Sequence, residues 1–169
     1  MWMSLISWAR LRWMRPRNRD RNMRPCAASC GDAQSRAENI RIRGEWGESV
    51  AAEHLKGRGW RIIGRRVRPC ARDRRCEIDI IARTRHGGVV FVEVKTHRTR
   101  SPYATRLWRV DRRKKENLLR ACASWIMLRK WHGNFRFDVI EIFGSPESGA
   151  PEIDHIENVP LFPSKWRFW

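Results

Sequence analysis

Three ionisable residues stand where charge is expensive. Asp79 lies inside the apolar run Ile78-Asp79-Ile80-Ile81-Ala82, and Glu93 and Lys95 lie inside Val89-Val90-Phe91-Val92-Glu93-Val94-Lys95. Both runs are rich in β-branched residues and flank His86-Gly87-Gly88, which predicts two neighbouring strands joined by a tight turn. Side chains alternate faces along a strand, so Asp79 should point away from Ile78 and Ile80. Glu93 and Lys95 should share one face, and Val92 and Val94 the other. Charge within a buried strand is costly unless it is paired or bound to a metal. Adjacent strands lie about 4.8 Å apart, so Asp79 and Glu93 can jointly hold one hard divalent cation, Mg²⁺ or Mn²⁺. Such an ion binds through one or two carboxylates and fills its other positions with water and substrate phosphate. Lys95, about 6.6 Å further along the same strand face, could orient or help deprotonate the attacking water and offset charge growing on the phosphate. These parts suffice to hydrolyse a phosphodiester. The plainer alternative is a carboxylate–lysine ion pair on a solvent-facing sheet.

These residues need elements to hold them. The domain is expected to begin near residue 39, with a helix over 44–58 ended by Gly57 and Gly59. Ala52 and Leu55 share a stripe with Glu48, which makes Glu48 a further carboxylate facing the sheet; a first-turn glutamate favoured by the helix dipole is the alternative. A first strand follows over 60–68, then a basic turn over 69–75, then the two strands above. The polar, basic loop over 96–108 should lie close to the site, and its Arg98, Arg100 and Arg106 are candidate nucleic-acid contacts. Asp111 reads as the N-cap of a second helix reaching to about Trp131, closed by Gly133, with Leu118, Leu119, Cys122, Trp125 and Ile126 as its buried stripe. Arg112, Arg113 and Lys114 crowd its first turn against the dipole preference, an arrangement that partner binding would explain. A fourth strand over 135–143 contains Asp138, and the tail over 146–169 is rich in Pro and Gly, with a short strand around 153–156. The order of helix, three strands, helix and strand predicts an α/β fold with a central mixed sheet flanked by helices.

Composition narrows the partner. Lys and Arg number 36 against 18 Asp and Glu, a net charge of +18, and only six of the basic residues are lysine. That excess favours a polyanion, most simply nucleic acid. Five cysteines at irregular spacing argue against a disulfide scaffold and suggest a reducing compartment, here read as the cytoplasm. Their spacing does not make a zinc site. Residues 1–38 read as a basic, disordered arm, or as an arm that tracks phosphates. The arm's apolar start is too short to span a membrane.

The order Gly47-Glu48, Cys76-Glu77-Ile78-Asp79, Phe91-Val92-Glu93-Val94-Lys95, Asp111-x-x-Lys114, Arg136-Phe137-Asp138-Val139 resembles the YraN-like family of uncharacterised predicted endonucleases over residues 40–145. That family is similar to archaeal Holliday-junction resolvases and the wider PD-(D/E)XK nucleases. The resemblance implies a restriction-endonuclease-like fold, with Asp79 as the first-strand carboxylate, Glu93 and Lys95 as the Glu-x-Lys pair, and Glu48 as the helix carboxylate. It also implies Mg²⁺-dependent cleavage of branched or structured DNA, and a homodimer with two sites. Two departures stand out: Cys76 replaces the family's usual Gly before Glu-Ile-Asp, and Arg72 to Arg75 lengthen the preceding loop. A binding module that keeps the fold but does not cut is the alternative, and a basic protein assisting RNA or ribosome processes is a third.

Overall fold

The computed structural model describes residues 28–70, 73, 75–100 and 112–163. The elements follow as α1 (Ala28–Gly57), β1 (Arg61–Val67), β2 (Ile78–Arg83), β3 (Val89–His97), α2 (Arg112–Leu128), β4 (Phe135–Phe143) and β5 (Glu152–Ile156). The strands form one sheet in the order β1-β2-β3-β4-β5. Every pairing is antiparallel except β3 with β4. Parallel neighbours need a crossover, and α2 supplies it. The expected α/β architecture, a mixed sheet flanked by helices, is what the chain adopts.

The two helices lie on opposite faces of the sheet. Ala51, Ala52 and Leu55 of α1 pack with Ile80, Ala82, Val90, Val92, Ile140 and Ile142. Leu118, Ala121, Cys122, Trp125 and Ile126 of α2 pack with Ile78, Ile81, Val89, Phe91, Phe137 and Val139. The alternation of β3 splits its residues between these two cores, as a strand buried on both sides requires. Burying a side chain such as Phe91 stabilises the fold by about 2–3 kcal/mol. In β2 the alternation fails at one end. Ile78 joins the α2-side core and Ile80 the α1-side core, so the two do not share a face as their spacing predicts.

Helix ends show where local chemistry wins. Gly59, at φ 74, ends α1: Gly59 N–H donates to Lys56 O and Trp60 N–H to Leu55 O, at 2.7 and 3.1 Å. These are the paired bonds of a Schellman cap. The same pair closes α2 at Lys130, φ 47, through Lys130 N–H to Met127 O and Trp131 N–H to Ile126 O. Gly133, expected to end this helix, lies beyond the cap. At the other end of the chain, α1 already runs at Ala28, ahead of the boundary expected at residue 38. The domain also extends past residue 145, because β5 pairs with β4 and Val159, Leu161 and Phe162 pack on the α2-side core. No helix among the described residues is long and apolar enough to cross a membrane.

Candidate active site

The β2–β3 ladder runs from Arg83↔Val89 to Ile80↔Val92. One more step would set Asp79 opposite Glu93, and there the ladder stops. The Val94 N–H instead donates to Asp79 Oδ2 at 2.8 Å. A side chain has replaced the partner strand, and the two carboxylates face the opening this creates. Asp79 is largely buried, and its carboxyl is pushed up to about 7, first by that burial and then by the Glu93 charge. The Val94 N–H and the Lys114 charge pull it down, and Glu48 pushes it further up. Glu93 is 4% exposed and pairs with Lys114 Nζ, which reaches over from the first turn of α2. Lys95 follows on the same face of β3. Burial lowers its pKa from the ordinary lysine value, against the opposing charges of Glu93 and Glu141.

Glu48 comes from the other face. It sits on α1 one residue after Gly47, which is buried so tightly against β3 that a Cβ there would collide with Thr96 Cγ2. This close approach brings Glu48 near enough for its charge to be felt at Asp79. Burial raises the Glu48 carboxyl, opposed by Arg66 and Arg65. Thus three elements bring the four residues named from sequence within reach of one another's charge: Glu48 and Glu93 act on Asp79, and Glu93 acts on Lys95.

The six basic residues expected to contact nucleic acid fare differently. Lys114 is on Glu93. Arg100 holds Glu152 and Asp154 at 2.9 and 2.7 Å and lies over the Phe143 ring, which ties the end of β3 to β5. Arg112 is exposed and pairs with Glu116 one turn on, at 3.1 Å. Arg113 lines an open groove of 490 Å³ beside Arg75 and Arg120. Arg98 is exposed. Arg106 and the expected cap Asp111 lie outside the described residues.

Sequence reasoning passed over Arg66, Glu77, His97 and Glu141. Glu77 accepts from Arg68 at 2.5 Å. Glu141 is fully buried, stands opposite Lys95 in the β3–β4 register, and lies 3.8 Å from His97 Nε2. The signal for it was present: a second acid, three residues after Asp138, inside the apolar run Val139 to Phe143.

The donor set suits a hard cation. Val94 engages only one Asp79 oxygen, and the repulsion that raises this carboxyl is what a cation between Asp79 and Glu93 would relieve. Among the described residues no group of three or more His, Cys, Asp or Glu could enclose a metal.

The family model and the sequence relatives agree on one family. The model of the uncharacterised protein family UPF0102 matches residues 47–142. A UPF0102 protein of Trichlorobacter lovleyi is 36% identical over 116 residues, covering 68% of this chain and 87% of that one. One from Symbiobacterium thermophilum is 43% identical over 106 residues, covering 62% and 84%. Among solved structures, Pyrococcus furiosus SfsA in complex with Ca²⁺ is similar at 15% identity over 70% of this chain and 63% of that one; its TM-score of 0.30 is too low to bear on fold or function. The UPF0102 proteins are the YraN family, within the PD-(D/E)XK-like nuclease superfamily. The span from Gly47 to Ile142 holds Glu48, Asp79 and Glu93, and this chain belongs to UPF0102.

Proposed function

We propose that this protein is a Mg²⁺- or Mn²⁺-dependent endonuclease that hydrolyses phosphodiester bonds in branched or otherwise structured DNA. The observation that carries this reading is the pair of acids at the strand opening: two carboxylates forced together, one raised by burial and by the other, with a lysine on the same strand face. Asp79 and Glu93 would hold the cation, which supplies Lewis acidity and activates water when bound. Glu48 adds negative charge from the helix side. Lys95 orients the attacking water and offsets charge on the phosphate. On this reading the partner is DNA, the working unit is a homodimer and the compartment is the cytoplasm.

One observation favours the second reading, a binding module that no longer cuts. The Lys114 ammonium occupies Glu93 Oε1, where a cation would be needed. Two measurements separate the readings. Duplex, flap, four-way junction and single-stranded substrates are incubated with the protein, with and without Mg²⁺ or Mn²⁺. Metal is titrated calorimetrically into the parent and into Asp79→Asn. Cation-dependent cutting, with metal heat lost in the variant, supports the enzyme; equal heats in both, or none in either, remove the catalytic assignment.

A further inference from the structure

We infer that Arg66 is a substrate-positioning residue that grips the nucleic-acid phosphate beside the strand opening, an assignment that rests on the nucleic-acid reading above. Strand β1 alternates exposed and half-buried residues from Arg61 until Arg65 and Arg66, which are both exposed. The break has a backbone cause: Arg66 adopts φ 48, the left-handed region that side chains bearing a Cβ rarely enter. The pairs Arg65↔Ile80 and Val67↔Ile78 bracket Arg66 and place it opposite Asp79. Asp79 in turn lies one step beyond Ile80↔Val92, facing Glu93. Arg66, Asp79 and Glu93 therefore form one row across three strands.

The guanidinium makes only loose contacts. Its Nε is 3.4 Å from Glu77 Oε1 and 3.8 Å from Glu48 Oε1, and its Nη1 is 3.5 Å from Glu45 Oε1. Three carboxylates share it, the tightest through a long hydrogen bond from Nε to Glu77 Oε1 at 3.4 Å, while Arg68 holds Glu77 at 2.5 Å. The side chain is half exposed. Pairing with Glu77 does not need a left-handed backbone, since Arg68 achieves a tighter pair without one. A backbone outlier kept at the rim of a site is better explained by function than by that pairing. The planar fork of a guanidinium matches a phosphate bidentately, a contact tighter than any Arg66 now makes.

The test measures binding without cleavage. Fluorescence anisotropy with a labelled four-way junction and a duplex, in EDTA and in Ca²⁺, is followed between about 50 and 200 mM salt. Arg66→Asn removes the charge, and Asn tolerates the left-handed backbone. It should keep the parent's melting temperature, bind several-fold more weakly, and lower the log–log salt slope by about one. Arg83→Asn, at the far end of β2, controls for loss of any arginine and should change binding much less. Equal losses from the two variants would reduce Arg66 to a local ion-pair partner. If Arg66→Asn does not fold, Arg66→Lys decides: parental stability with weaker binding supports the assignment, and unchanged binding overturns it. A parent with no salt-dependent binding removes the nucleic-acid reading and Arg66 with it. A parent that binds through Arg66 but never cuts keeps the assignment and discards only catalysis.

Discussion

Two acids three residues apart on β4 live in opposite conditions. Asp138 and Glu141 are both fully buried. Asp138 accepts from Arg136 Nη2, His155 Nε2 and the Asn158 N–H at 3.1, 2.9 and 2.9 Å. Its partner His155 is held in turn by Arg58 and His54, at 2.8 and 3.3 Å, and Trp60 packs against its ring. Among the described residues neither oxygen of Glu141 has a hydrogen-bond partner; His97 Nε2 lies 3.8 Å away, and Lys95 stands opposite in the register. The side chains of a strand alternate, so the odd offset of three puts the two acids on opposite faces. Asp138 joins the tail, β5 and the end of α1, and both of its oxygens are hydrogen-bonded. Glu141 lies on the face of Glu93 and Lys95, and its own two oxygens are left without a donor among the described residues. A fold tolerates such a deficit near chemistry and avoids it where it needs strength.

The largest expected effect breaks the satisfied end. Asp138→Ala leaves Arg136 and His155 without their shared acceptor and should cost about 3–5 kcal/mol, the usual penalty for breaking a buried charged network. Glu141→Leu should go the other way. It removes a buried carboxylate that has no donor and should raise stability by about 1–3 kcal/mol. Urea denaturation of both variants checks the pair. Destabilisation of similar size at both positions would mean that Glu141 is as well satisfied as Asp138, and the contrast would fail.

Acidity at the opening gives the next effect. Folding raises the Asp79 carboxyl from its ordinary range near 4 to about 7. The native state therefore binds the extra proton between these values. Stability from this group is fully present below about pH 4 and is lost as pH rises towards about 7. In metal-free buffer the parent should lose melting temperature across that window more steeply than Asp79→Asn. Saturating Mg²⁺ should flatten the parent's profile, since the cation binds the ionised native form. Identical slopes in parent and variant would show that Asp79 ionises as an ordinary aspartate.

Much of this was legible before any coordinates. The β2 and β3 runs, the turn between them and the α2 stripe follow from period-2 and period-3.6 patterns, which burial enforces in the fold. Glu48 could be placed on the sheet-facing stripe of α1 because Ala52 and Leu55 fix that stripe. Other features depend on information that spacing does not carry. The left-handed backbone of Arg66 leaves no mark in residue type, since arginine is not a residue that favours that region. Lys114 read as one of the basic residues a partner would contact, and only the crossover of α2 over β3 sets it on Glu93. The cap at Lys130 was missed because glycine is the usual signal for it and Gly133 stood nearby. The short strand expected around 153–156 is β5, while the packing of Phe162 was hidden by a Pro- and Gly-rich composition that reads as tail.

Lys114 sharpens the contrast from within the site. Lys114→Met removes the ammonium from Glu93 Oε1 and frees that oxygen. If Lys114 merely holds the place of a cation, Mg²⁺ affinity by calorimetry should rise several-fold, and the metal-dependent gain in melting temperature should grow with it. If Lys114 instead props Glu93 in its coordinating position, the affinity should fall. A rise favours the enzyme reading, in which metal and lysine compete for one carboxylate.

The smallest effect belongs to Arg112, two residues before Lys114 in the same turn. Its side chain is 93% exposed, and its partner Glu116 is 61% exposed. An exposed pair one turn apart adds little to stability, because water and salt screen it and two long side chains lose freedom to form it. Arg112→Ala should therefore leave the melting temperature and Mg²⁺ affinity at parental values. As a phosphate contact, it should still lower the salt slope of DNA binding by about one, because one fewer counterion is released on association. Lys114→Met and Arg112→Ala together split the basic turn into a residue that works on the carboxylates and one that works on the ligand. Parental DNA binding in Arg112→Ala would remove it from the interface, leaving Lys114 as the one residue of that pair with a role.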